Sequence, residues 1–149
     1  MPNRVKVFLD TSALFAGVWS SEGGGRMVLK LGEARAVRLL VSPQVIRELE
    51  GALRRKAPQA LGVFALILER SGVEIIEPPP PEVVQDILNL TDRLGDERIL
   101  AGGMAAGVDY FIMLDKEHFL ENQSVIESMP FPVGTPGDFL AWFRERLKS

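Results

Sequence analysis

Two rhythms of apolar and polar residues alternate along this chain. Val5–Leu9, Val37–Val41 and residues 110–114 are nearly continuous apolar runs. Such runs mark strands of a parallel sheet covered on both faces. Between them, apolar residues recur at helical spacing. Met27, Val28 and Leu31 form one such face, and Val45, Leu49, Ala52 and Leu53 a second. Leu61, Phe64, Ala65 and Leu68 give a third, and Val83, Val84, Ile87 and Leu88 a fourth. Phe139, Leu140, Phe143 and Leu147 give the last helix its inward side. A further helix is expected over Glu97–Ala106 and a short strand over 73–76. Strands alternating with helices predict an α/β fold: a three-layer α/β/α sandwich with a central, mainly parallel sheet. There is no internal repeat, and one domain is expected over residues 1–149.

Local signals punctuate this pattern. Asp10-Thr11-Ser12 after the first strand offers cap chemistry for a helix. Ser42-Pro43 pairs a capping hydroxyl with proline at the first helical position. Thr135-Pro136-Gly137-Asp138 has the same form, with an acid at the third position. Residues 20–25 end in three glycines, whose backbone entropy predicts a mobile loop. The four prolines at 78–81 predict a stiff, extended connector.

Composition narrows the function classes. The 149 residues include no cysteine and one histidine, His118. Disulfides, thiolate catalysis, cysteine-ligated zinc and multi-imidazole sites are thereby excluded. The net charge of −3 announces no global polycation, although a local basic stripe can still meet a nucleic acid. Neither an apolar leader segment nor a membrane-length run is evident, so a soluble, cytoplasmic protein without membrane association is expected.

The candidate chemistry lies in the carboxylates. Asp10 and Asp115 each end an apolar run, where packing needs no charge. In an open parallel sheet, ligands bind at the carboxyl ends of the strands. Asp96 opens a predicted helix, and Glu48 lies on another, beside the apolar positions Val45 and Ala52. Each acid alone reads as a helix cap, a turn or a surface residue. Together at one edge they repel unless a cation joins them, and hard oxygen donors suit Mg²⁺ or Mn²⁺. Such an ion makes a bound water more acidic and stabilises negative charge developing on oxygen.

Four stretches resemble the successive motifs of PIN domains. They are Phe8-Leu9-Asp10-Thr11-Ser12-Ala13-Leu14, Ser42-Pro43-Gln44-Val45-Ile46-Arg47-Glu48-Leu49, Asp96-Glu97-Arg98-Ile99-Leu100-Ala101 and Tyr110-Phe111-Ile112-Met113-Leu114-Asp115-Lys116. Their order and spacing carry the resemblance, since Asp-Thr-Ser alone is weak. The ending Thr135-Pro136-Gly137-Asp138-Phe139-Leu140 is similar to one branch of that family. The resemblance implies a metal-dependent endoribonuclease, often the toxin of a toxin–antitoxin pair. It implies Asp10, Glu48, Asp96 and Asp115 as the catalytic acids. The expected metal ligands are Asp10, Asp96 and Asp115, with Glu97 as an extra ligand. Ser12 would hold the Asp10 carboxylate or a metal-bound water. RNA as substrate, a small antitoxin protein and a homodimer are the partners it implies.

One departure from the family pattern is Met113, where a Ser or Thr usually stands two residues before the last acid. It supports the alternative of a catalytically weakened PIN-like module that binds RNA or protein. Receiver-type and haloacid-dehalogenase-type sites fit poorly, because neither shows its paired acids after the first strand. Among the basic residues, Arg47, Arg54, Arg55 and Lys56, on or after the Glu48 helix, and Lys116 are candidates for RNA phosphate, with Arg54, Arg55 and Lys116 put forward, against a plain solvated-surface reading. Trp19 is expected to cover the core edge, with base stacking as the alternative. Trp142, Phe139 and Phe143 are expected to form a terminal aromatic cluster.

Overall fold

A computed structural model describes residues 4–90, 97–114 and 123–148. The chain begins β1 (Val5–Leu9), α1 (Thr11–Trp19), α2 (Gly24–Glu33), β2 (Val37–Val41) and α3 (Pro43–Lys56). A 3₁₀ turn (Pro58–Ala60) then leads to α4 (Leu61–Arg70), β3 (Glu74–Ile75), α5 (Pro81–Leu88) and α6 (Glu97–Ala106). It closes with β4 (Tyr110–Ile112), α7 (Gln123–Glu127), β5 (Val133–Gly134) and α8 (Pro136–Leu147). The five strands form one parallel sheet in the order β3-β2-β1-β4-β5.

Register and strand alternation place the layers. Val7 pairs with Leu39 and Tyr110, while Phe8 pairs with Leu40 and Phe111. Neighbours across the ladder share a face, and successive residues alternate faces. Gly32 of α2 lies against Leu39, and Phe139 of α8 meets the Tyr110 ring edge-on at 5.2 Å. These two helices therefore cover the Val7 face. Gly102 and Gly103 of α6 lie against Phe8 and Phe111, so α6 covers the other face. The two phenylalanine rings stack at 4.9 Å beneath it. The glycine pair in α6 thus admits close packing onto the sheet.

Several expectations are corrected. Gly24 and Gly25, expected in a mobile loop, form the first turn of α2. A Cβ on Gly25 would lie 2.9 Å from the Gly17 nitrogen, and one on Gly17 would lie 2.9 Å from the Gly25 carbonyl oxygen. The glycines serve a close crossing of α1 and α2. Arg26 completes it by donating to the Gly17 and Val18 carbonyls, at 2.6 and 3.0 Å, near the end of α1. Ala65 and Leu147 face outward, because α4 buries only Phe64 fully and α8 is anchored by Phe139 and Phe143. The strand expected to run to residue 114 ends at Ile112. Strand β5 and helix α7 are additions that no periodicity announces.

Candidate active site

Strands β1 and β4 are neighbours, but the chain leaves β1 toward β2 and reaches β5 from β4. This is the point where an open parallel sheet forms its crevice. Asp10 stands there, at the end of β1. Its Oδ1 accepts from the Ala13 amide at 2.8 Å, capping α1, and from the Ser12 hydroxyl at 2.9 Å. The Ser12 hydroxyl in turn accepts from the Leu114 amide at 3.3 Å, just past β4. Ser12 therefore ties the ends of β1 and β4 together.

Glu48 reaches the same edge from α3. Its Oε2 accepts from the Thr11 hydroxyl at 2.5 Å, and its Oε1 accepts from the Gln44 side chain at 3.2 Å. Glu48 is solvent-exposed, yet it is held from both sides. The cap of α3 is as expected: Ser42 is buried and its hydroxyl accepts from the Val45 amide at 3.2 Å. Glu97 begins α6 and is 3% exposed, at the helix end where the backbone dipole favours negative charge.

Asp96, Asp115, Lys116 and His118 lie outside the described residues. Among the described residues no group of three acidic or imidazole side chains could hold a metal ion. Asp96 directly precedes buried Glu97, and Asp115 directly follows Leu114, which Ser12 holds. Met113 is buried, and its amide donates to the Gly134 carbonyl at 2.9 Å.

Sequence reasoning misses Thr11 and Gln44, the two groups holding Glu48. Thr11 sits inside Asp10-Thr11-Ser12, so its signal is the very motif that marks Asp10. Arg54 and Arg55 occupy the last turn of α3, where positive charge complements the helix dipole. Lys56 lies over the Phe15 ring at 6.0 Å. Trp19 stacks on Phe15 at 5.7 Å but is 58% exposed, so it does not cover the core edge as expected.

The architecture matches solved structures over nearly its whole length. VapBC2 from Rickettsia felis, solved bound to a DNA fragment from their promoter, superposes with a TM-score of 0.67 at 15% identity. The match covers 87% of this chain and 97% of that one. PAE2754 from Pyrobaculum aerophilum gives 0.64 at 17% identity, covering 92% of this chain and 88% of that one. The fold is PIN-like. No family model and no curated protein matches the chain. In this PIN-like frame, Asp10 and Glu48 occupy one edge of the parallel sheet. No helix among the described residues is long and apolar enough to cross a membrane.

Proposed function

We propose that this protein is a metal-dependent endoribonuclease hydrolysing RNA phosphodiester bonds, with Asp10, Glu48, Asp96 and Asp115 as its catalytic acids. One observation carries the reading. Consecutive hydroxyls of the first turn of α1, Thr11 and Ser12, hold carboxylates from two different elements at the sheet's crevice. Caps and surface acids need no such coordination.

The donor set fits a hard cation, since it consists of carboxylate oxygens. Asp10, Asp96 and Asp115 would hold Mg²⁺ or Mn²⁺, with Glu97 adding a buried carboxylate. When bound, the ion supplies Lewis-acid stabilisation and a more acidic water. Glu48 would orient a water or hold a proton at its carboxylate, and Thr11 and Gln44 fix the direction of the Glu48 side chain. Ser12 keeps Asp10 aimed into the crevice. Arg54, Arg55 and Lys116 are assigned to more distant phosphates. The resemblance implies a toxin role with a small antitoxin partner, a homodimer and cytoplasmic action, and the VapBC2 match supports the PIN-like fold on which that role rests.

A second reading, a PIN-like binding module without catalysis, is favoured by the buried thioether of Met113. Cleavage of a mixed RNA pool separates the two. With Mg²⁺ or Mn²⁺ the protein is expected to cut, and with chelator it is not. Asp10→Asn should lower the rate by about 10²–10³-fold, the scale seen when one transition-state interaction is deleted. Full metal-dependent activity in Asp10→Asn would sink the assignment. Absence of both cleavage and metal binding would establish the binding module.

A further inference from the structure

A cleft of about 340 Å³ lies between the start of α3, the proline connector and α5. That volume falls within the roughly 300–1,000 Å³ typical of small-ligand sites. Gln44 and Arg47 of α3 and Arg98 of α6 line it, and Pro78, Pro79 and Val84 add apolar surface. Both arginines are exposed, and among the described residues neither is in an ion pair. Arg38 and Arg54, by contrast, each face a glutamate.

We propose that this cleft is a nucleotide subsite of the RNA-cleaving site, receiving a residue that flanks the scissile phosphodiester. The inference rests on the ribonuclease reading given above. Three features select this occupant. Two guanidiniums in one small cleft suit phosphate oxygens, which planar forks bind in pairs. The rigid prolines offer a base an apolar surface with little entropy left to lose. The cleft also adjoins the carboxylates: Gln44 lines it and donates to Glu48 Oε1 at 3.2 Å. Four residues, about 6 Å of helix axis, separate these two along α3. Arg98 follows Glu97 in the first turn of α6. A strand whose reacting phosphate lies at the acids therefore reaches the cleft within about one nucleotide step.

The probe is a short single-stranded RNA bound in chelator, where no cleavage occurs, over a series of salt concentrations. Every phosphate of a single strand that a cation neutralises contributes about 0.7 to the slope of log K against log salt. Arg47→Ala with Arg98→Ala should weaken binding and flatten the slope, by about 0.7 where the two guanidiniums share one phosphate and about 1.4 where each holds its own. Lysine at both positions should keep the slope but recover only part of the affinity, because a lysine cannot reproduce the paired geometry. Unchanged affinity and slope in a double-alanine variant with wild-type melting would overturn the subsite. Metal-dependent cleavage by the wild type is scored separately. Cleavage with an unaltered slope leaves the nuclease and removes the subsite; an altered slope in a protein that neither cleaves nor binds metal leaves an RNA-binding cleft and removes the nuclease.

Discussion

Asp10 carries two duties in one side chain. It caps α1 through the Ala13 amide, and it stands at the crevice where the proposed chemistry occurs. Asparagine caps a helix about as well as aspartate, whereas alanine costs about 1 kcal/mol. Asp10→Asn should therefore unfold in denaturant within about 0.5 kcal/mol of the wild type. Asp10→Ala should lose about 1 kcal/mol. A large stability loss in the asparagine variant would make its activity uninformative about metal binding. Asp10 is legible in the sequence because it directly follows an apolar strand in which no charge is needed. Glu48 is legible only through its apolar neighbours Val45 and Ala52. The hydroxyl holding it belongs to another element and has no periodic signature. The arginine pair in the cleft is equally hidden, since Arg47 and Arg98 meet only through the packing of α3, α5 and α6.

At the scale of elements, the crossing of α1 and α2 shows where local signals mislead. Glycine entropy argues for a loop, but it cannot see a partner helix arriving within 3 Å. Helix propensity favours alanine over glycine by about 1 kcal/mol. Contact geometry argues the other way, since a Cβ on Gly25 would meet the Gly17 nitrogen at 2.9 Å and its Cα at 3.1 Å. These are backbone atoms that cannot swing aside. Gly25→Ala is therefore expected to destabilise by about 1–3 kcal/mol, the cost of overpacking. A thermal melt with an unchanged or raised midpoint would contradict the crossing. The start of α8 is fully readable: Thr135 accepts from the Asp138 amide at 3.2 Å, and the Asp138 carboxylate accepts from the Thr135 amide at 3.0 Å. Strand β5 escapes because two residues, Val133 and Gly134, are too few to display a period.

Over the whole molecule, the continuous apolar runs are enough to place a parallel sheet between helices. They do not reveal the strand order, which depends on where the crossovers land. The edge strands are secured differently. Arg38 grips Glu74 with two bonds, at 2.9 and 2.7 Å, joining β2 to β3. That hydrogen-bonded guanidinium lowers the Glu74 pKa. On the other side, Tyr110 packs against Phe139 and Trp142, and burial, helped by the Asp138 charge, raises its pKa to about 12. An unfolded tyrosine titrates near about 10. Between these values the folded chain keeps a proton that the unfolded chain has lost, so stability falls as pH rises through that window. The drop should reach about 2–3 kcal/mol by pH 12 and be missing from Tyr110→Phe, as denaturant titrations between pH 9 and 12 would show. Identical slopes in the two proteins would refute the burial of this phenol.

The pairing of Val7 with Tyr110 has a temporal meaning during synthesis. Translation delivers Asp10 and Glu48 early, yet the strand that completes their crevice begins only at Tyr110. Leu114, which Ser12 holds, comes later still. Until β4 emerges, a nascent fragment therefore carries at most three of the four proposed acids and lacks the strand that pairs with β1 beside them. The proposed RNA-cutting site is not assembled before residues 110–114 have left the ribosome.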